Sequence, residues 1–396
     1  MHSHLQMTPT PDNFGLSVEK ASGKVPPAAV ASNAPVAKRR TLSLDDYEHG
    51  VVRADRAVLG RALSLIESVN PEHEPLAREL LARVLKKTGG SIRVGITGVP
   101  GAGKSTFIER LGVTLADRGH KVAVLAVDPS SNISGGSILG DRTRMARLSA
   151  HPNAFIRPSP SSGALGGVAR KTRESMLLCE AAGFDVVLIE TVGVGQSETQ
   201  VAEMSDFFLA IMIAGAGDEL QGIKRGILEL VDMIAVNKAD GDNERRAKLA
   251  ASEYAAAVRI FQHRDPSWSV PVTTCSAVSG VGVVEIWDRI RQRVDTLRAS
   301  GQLAELRRTQ SLRWMHALLE EHLHRRLTQS PEARAILAQA EHEVQSASVP
   351  PVVAAEQAAE SILRAITGET NATKADTSDK NYVKKPQERK RGPILD

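Results

Sequence analysis

Gly98-Val99-Pro100-Gly101-Ala102-Gly103-Lys104-Ser105 fits the phosphate-cradling pattern GxxxxGK[ST]. The run Ile92-Arg93-Val94-Gly95-Ile96-Thr97 before it reads as a strand, and Phe107, Ile108 and Leu111 after it open a helical apolar spacing. A strand that turns into a helix at this point aims backbone N–H groups and the positive helix end at one anion. Gly98 and Gly103 let the backbone come close to the anion, Lys104 reaches the outer phosphates and the Ser105 hydroxyl is placed for Mg²⁺. Val99, Pro100, Gly101, Ala102 and Thr106 complete the cradle. The plain alternative is a glycine-rich turn with a surface lysine, and the strand-to-helix setting argues against it.

Outward from this loop, apolar runs alternate with helical stretches: Val122 to Val127, Val186 to Ile189, Phe207 to Ile213, Met233 to Val236 and Val270 to Thr274. Such alternation predicts an α/β fold with a mostly parallel sheet covered on both faces, its binding loops at the carboxyl ends of the strands. Upstream, Leu59, Ala62, Leu63 and Ile66, then Leu76, Leu80 and Val84, predict two short helices separated by Asn70-Pro71. Beyond about residue 298 the pattern is purely helical. Leu312, Met315, Leu319, Leu323 and Leu327 form one stripe, and Ser330-Pro331-Glu332 reads as the cap, first-turn proline and acidic start of the next helix. A third helix is expected over Val352 to Ile366. These helices either pack on one another or cover a second subunit. The expected organisation is a disordered 1–41, a helical extension over 42–89, a nucleotide domain over 90–297, a helical dimerisation arm over 298–367 and a disordered basic tail over 368–396.

Asn237-Lys238-Ala239-Asp240 follows the strand Met233 to Val236, the place of a base-reading loop in a GTPase. The Asp240 carboxylate can accept the N1–H and the exocyclic N–H of guanine, whereas adenine offers no such pair. Ser276-Ala277-Val278, after the next run, resembles the element that supports guanine from its other side. Asp128 and Glu190 close neighbouring strands and are candidate Mg²⁺ partners, although a strand-end cap suits either one alone. The Ser134 to Met145 stretch combines glycines with Asp141, Arg142 and Arg144. It reads as a first switch with Asp141 near the metal, or as a surface loop. Gly193 is placed to sense a γ-phosphate, which makes 190–200 a second switch.

The chain has 396 residues and a formal charge of +4, part of it concentrated between Lys384 and Arg391, with no aromatic residues interleaved there. That composition predicts no nucleic-acid partner. With two cysteines, Cys179 and Cys275, no disulfide framework is indicated, and no apolar run reaches spanning length, so a cytoplasmic protein without a membrane partner is expected.

In their order, Gly98 to Thr106, Asp128-Pro129-Ser130-Ser131, Ser134 to Met145, Glu190-Thr191-Val192-Gly193-Val194-Gly195-Gln196-Ser197-Glu198 and Asn237 to Asp240 resemble the GTPase chaperones of cobalamin-dependent mutases. That family is also known as LAO/AO or ArgK-type transport ATPases. The resemblance runs over roughly 42–367. It implies a P-loop NTPase of the signal-recognition/MinD/BioD-like branch, with a helical N-terminal extension and a helical C-terminal arm that forms a homodimer. It also implies GTP and GDP as ligands, Mg²⁺ as cofactor, and an adenosylcobalamin-dependent mutase, foremost methylmalonyl-CoA mutase, as partner. The run Ala214 to Lys224 matches an additional family switch, in which Asp218, Gln221 and Lys224 couple nucleotide state to the mutase. Read from its residues alone, that run is a glycine-rich loop.

Slow GTP hydrolysis by in-line attack of water is therefore expected, with Lys104 and a Ser105-bound Mg²⁺ stabilising the developing charge. Gln196 is a candidate to orient the water, and a structural glutamine fits that position as well. Arg142, Arg144 or Arg170 can add charge if a switch closes. Three other readings compete, the third of them a structural scaffold with a dead nucleotide site. A transport ATPase or kinase wants an Asp-Phe-Gly element, and a metal-delivering GTPase wants a His- or Cys-rich cluster; the chain has neither.

Overall fold

The computed structural model describes residues 41–127, 145–158, 165–191, 197–215, 225–260 and 268–367. Seven strands form one sheet: β1 (Ile92–Thr97), β2 (Val122–Val127), β3 (Ala154–Arg157), β4 (Val186–Thr191), β5 (Phe207–Ile213), β6 (Met233–Asn237) and β7 (Val272–Thr274). Their order is β3-β2-β4-β1-β5-β6-β7 and every pairing is parallel. The central strands are buried almost throughout, so they need unbroken apolar runs rather than alternation. The chain leaves β1 for β2 on one side and later passes to β5 on the other, so the direction of winding reverses beside β1. Loops at the carboxyl ends meet there.

Helix α4 (Lys104–Asp117) and, much later, α10 (Val283–Ala299) cover one face. Phe107, Ile108 and Leu111 of α4 and Ile286, Trp287 and Ile290 of α10 share a core with Val94, Ile96, Leu188 and Leu209. Between them in sequence lie α5 (Ala146–Ala150), α6 (Leu165–Ala181), α7 (Ser197–Ala202), α8 (Arg225–Leu228) and α9 (Glu244–Val258). Helices α6 and α7 lie on the other face. Gly95 of β1 shows why it is glycine: a Cβ there would come within 2.8 Å of Val201 on α7 and of Phe208.

Three helices precede the sheet, α1 (Leu44–Val52), α2 (Arg56–Glu67) and α3 (Glu74–Val84), and they pack on α6. The sequence predicts the last two. Helix α1 is too short for its buried Tyr47 and Val51 to establish a period. Strand β3 was likewise not expected: it is a four-residue edge strand, Ala-Phe-Ile-Arg, with alternating burial. The C-terminal helices are α11 (Gln302–Gln329), α12 (Pro331–Gln345) and α13 (Pro351–Thr367). Ser330 caps α12 by accepting from the Ala333 N–H at 3.2 Å, with Pro331 in the first turn. Helix α11 begins inside the core at Leu303, yet Leu312, Met315, Leu319 and Leu323 of the expected stripe are exposed. No helix among the described residues is long and apolar enough to cross a membrane.

Candidate nucleotide site

The loop between β1 and α4 has the backbone its glycines permit. Gly98 has φ +146°, and a Cβ there would lie 1.9 Å from the Ile211 carbonyl oxygen in β5, so no other residue fits. Gly103, at φ +86°, passes so close to Asn237 that a Cβ would come within 2.7 Å of its Nδ2. Pro100, Gly101 and Thr106 face solvent, Val99 is half-buried and Ala102 is buried. Lys104 starts α4 with its side chain folded along the loop, Nζ donating to Gly98 O at 2.8 Å and Val99 O at 3.2 Å. Burial lowers the pKa of this ammonium, and the carboxylates of Glu190 and Glu198 partly oppose the shift.

Strand β4 brings a carboxylate to the same point. Glu190 pairs in register with Ile96, and its Oε1 accepts the Ser105 hydroxyl at 2.8 Å. Beneath it, Thr191 Oγ1 donates to Thr97 Oγ1 at 3.0 Å and ties β4 to β1 where the loop departs. A serine hydroxyl beside one carboxylate is a hard oxygen set that fits Mg²⁺, which keeps several waters and takes phosphate oxygens as further ligands. Asp128 and Asp141, the other two candidate metal partners, lie outside the described residues. No group of three or more His, Cys, Asp or Glu that could hold a metal occurs among the described residues.

The base-side candidates gather around the ends of β6 and β7. Asn237, the last residue of β6, is buried and faces two ways: Nδ2 donates to Ala102 O at 2.8 Å, and Oδ1 accepts the Ala277 N–H at 2.9 Å. It therefore joins the phosphate loop to the turn after β7. Lys238 adopts φ +60°, uncommon for a residue with a side chain. Two bonds hold that strained step, Asn243 Nδ2 to Lys238 O at 2.7 Å and Ala239 N to Cys275 O at 3.0 Å. The Ser276 hydroxyl donates to the Asp240 carboxylate and accepts the Ser279 N–H at 3.1 Å. Cys275 is buried beside Asn237, and burial pushes its thiol up to about 12.

Sequence reasoning missed Arg110, whose guanidinium donates to the carbonyls of Ala277 and Val278. No motif spacing marks an arginine inside α4. Arg170, a candidate source of charge, is engaged away from the loop, its Nε 3.0 Å from Glu174 and its Nη1 3.8 Å from Glu321. Gln196, Asp218, Gln221 and Lys224, with Arg142, Arg144 and Gly193, lie outside the described residues. Glu198, quoted in the Glu190 to Glu198 run without a role of its own, is buried and acts electrostatically on Lys104.

The family model described as "Methylmalonyl Co-A mutase-associated GTPase MeaB" matches residues 59–332. A "Putative GTPase" of Caulobacter vibrioides is 53% identical over 316 residues, 80% of this chain and 97% of its own length. The mitochondrial "Methylmalonic aciduria type A homolog" of Mus musculus is 46% identical over 323 residues, 79% of this chain and 78% of that one. A solved structure titled "Crystal structure of LAO/AO transport system kinase" is 38% identical with a TM-score of 0.67, covering 82% of this chain and all of that one, 100%. The chain belongs to the MeaB family of P-loop GTPases.

Proposed function

We propose that this MeaB-family GTPase is a chaperone of an adenosylcobalamin-dependent acyl-CoA mutase, foremost methylmalonyl-CoA mutase, whose cofactor loading it gates and which it protects through a GTP cycle. One observation carries the nucleotide half of the reading: Asn237 bonds at once to the phosphate loop and to the turn whose Ser276 holds Asp240. That linkage supports a phosphate cradle and a base-side carboxylate acting together as one site. The partner half rests on the family description and on the methylmalonic aciduria relative.

In this reading residues 98–106 cradle the phosphates, and Lys104 exchanges the carbonyls of Gly98 and Val99 for the outer phosphate oxygens. Ser105 and Glu190, with Asp128 and Asp141, would hold Mg²⁺, which would supply positive charge against the phosphates. Asp240 accepts from the guanine N1–H and amine, while Asn237, Lys238 and the Ser276-Ala277-Val278 turn frame the base. Gln196 orients the attacking water. Asp218, Gln221 and Lys224 couple the nucleotide state to the mutase. The exposed row Leu312, Met315, Leu319 and Leu323 supports a homodimer formed through the C-terminal arm, which light scattering on the full chain tests. The cytoplasm is the proposed compartment, in keeping with two buried free thiols.

The transport-kinase title of the solved relative names a competing reading, and base choice separates the two. Leaving Asp240 without its donor pair costs ~1–3 kcal/mol per unsatisfied group, so GTP is expected to bind roughly a hundredfold tighter than ATP in calorimetry. Asp240→Asn gains an N–H donor and is expected to shift preference toward xanthosine triphosphate, whose 2-carbonyl accepts it. Adding the mutase is expected to raise GTP turnover several-fold over a slow basal rate. Equal uptake of ATP overturns the guanine reading, and turnover indifferent to the mutase overturns the chaperone reading.

A further inference from the structure

Arg110 sits in the second turn of α4, and its side chain crosses to the turn that follows β7. Nε donates to Ala277 O at 3.2 Å and Nη2 donates to Val278 O. The side chain runs over Gly280, where a Cβ would meet Arg110 Cδ at 3.6 Å and Nε at 3.7 Å. The turn itself is closed by Ser276 N to Val281 O at 2.9 Å and Gly280 N to Ser276 O at 2.8 Å. That closure leaves the carbonyls of Ala277 and Val278 outside its own ladder, and one planar cation takes both.

Asn237 holds the same turn from the opposite side, through the Ala277 N–H, and its other end is fixed on Ala102 in the phosphate loop. Ala102 and Arg110 are joined by the start of α4. The contacts therefore close a ring: phosphate loop, Asn237, the 276–281 turn, Arg110, α4 and back to the phosphate loop. Ser276, which holds the Asp240 carboxylate, is part of that ring.

We propose that Arg110 is a positioning residue that fixes the span between the phosphate cradle and the Asp240 clasp, and so sets how strictly guanine is selected. The inference rests on the reading of Asp240 as the guanine acceptor. With the cation removed, the 276–281 turn keeps its tie to Asn237 but loses its tie to α4, so Ser276 no longer orients the carboxylate against a fixed frame. The loss falls on a base that uses both of its donors. Inosine keeps the N1–H but lacks the exocyclic amine, so comparing GTP with ITP reads the clasp while the triphosphate contacts stay constant.

The experiment uses the full chain with Arg110→Met and Arg110→Lys, measuring binding and turnover of GTP and ITP. Wild type is expected to prefer GTP, and Arg110→Met to narrow that preference about fivefold or more, with the change in KM for GTP rather than in kcat. Arg110→Lys is expected to recover only part of the preference, since an ammonium can donate to the carbonyls but cannot reproduce the planar fork. A merely structural role would weaken GTP and ITP equally, and that result overturns the proposal. A wild type that discriminates beside an Arg110→Met that discriminates as strongly overturns this proposal alone; a wild type that binds both equally overturns the guanine reading beneath it. If Arg110→Met lacks a cooperative melt, Arg110→Gln in the same assays decides.

Discussion

Arg307→Ala is expected to destabilise the protein more than almost any other single change on the C-terminal arm. Arg307 lies on α11, and it makes four hydrogen bonds: Nε to Asp206 Oδ1 at 2.8 Å, Nη2 to Asp206 Oδ2 at 2.6 Å, Nη1 to Gly89 O at 2.6 Å and Nη2 to Ser91 O at 2.7 Å. The Asp206 side chain is 0% exposed and that of Arg307 only 15%. Burial works against the guanidinium charge, but the Asp206 carboxylate outweighs it, and the pKa of Arg307 is raised. Truncation leaves the buried Asp206 carboxylate its bond from the Arg93 N–H but takes away its guanidinium partner, and it removes the donor from two carbonyls. Losing one partner of a buried pair costs about 3–5 kcal/mol. Arg307→Lys should recover only part of this, because a point charge cannot reproduce the fork. Asp206→Asn combined with Arg307→Met should cost clearly less than the two single changes added together, with a coupling of about 2 kcal/mol or more. Urea unfolding followed by circular dichroism and by the fluorescence of Trp268, Trp287 and Trp314 measures all five variants, the two single changes of the cycle included. An Arg307→Ala loss below about 1 kcal/mol, or strict additivity in the double variant, would refute the reasoning.

Gly98→Ala places a methyl against the Ile211 carbonyl at a φ that side chains avoid, and should cost at least ~2 kcal/mol and abolish GTP binding; Gly119→Ala, at φ +91° in open space, should cost about 1 kcal/mol and leave binding intact, both read by thermal melts and calorimetry. Glu190→Gln keeps a hydrogen-bond acceptor for Ser105 but loses charge beside the proposed metal, so the Mg²⁺ concentration for half-maximal GTP turnover should rise roughly tenfold in a metal titration. Burial raises both thiols, Cys179 and Cys275, to about 12, so neither should react with a thiol reagent at pH 9 until the protein unfolds. The unfolded chain releases those protons from about pH 8.5 while the native state retains them; this contribution to stability is complete below pH 8.5 and is lost as pH climbs toward 12, which urea midpoints across that range should show.

What the sequence reveals and what it hides have a common physical origin in the range of the interactions. Strands β2 and β5 coincide with the expected runs because each is buried on both faces and must be apolar residue by residue, a local signature. Edge strand β3 is anchored from elsewhere: Arg56 on α2 donates to the carbonyls of His151, Pro152 and Ala154, and no window around Ala154 can register an arginine about a hundred positions away. The same division runs through the site. Gly98 and Lys104 announce themselves because the phosphate loop is one continuous piece of backbone, and Glu190 does so because it ends an apolar run. Arg110 and Arg307 do not, since each acts on carbonyl oxygens, which every residue carries and no composition records. The Leu312 to Leu323 row fails in the opposite sense: its period is plain in the sequence, yet a period says only that one face is apolar and never what covers it. In this chain it stays exposed, because α11 meets the core through Leu303, Arg307 and Gln310, residues nearer its start and two of them polar. Burial of the apolar face and docking of the helix are thus separate events, and among the described residues only the second is accomplished.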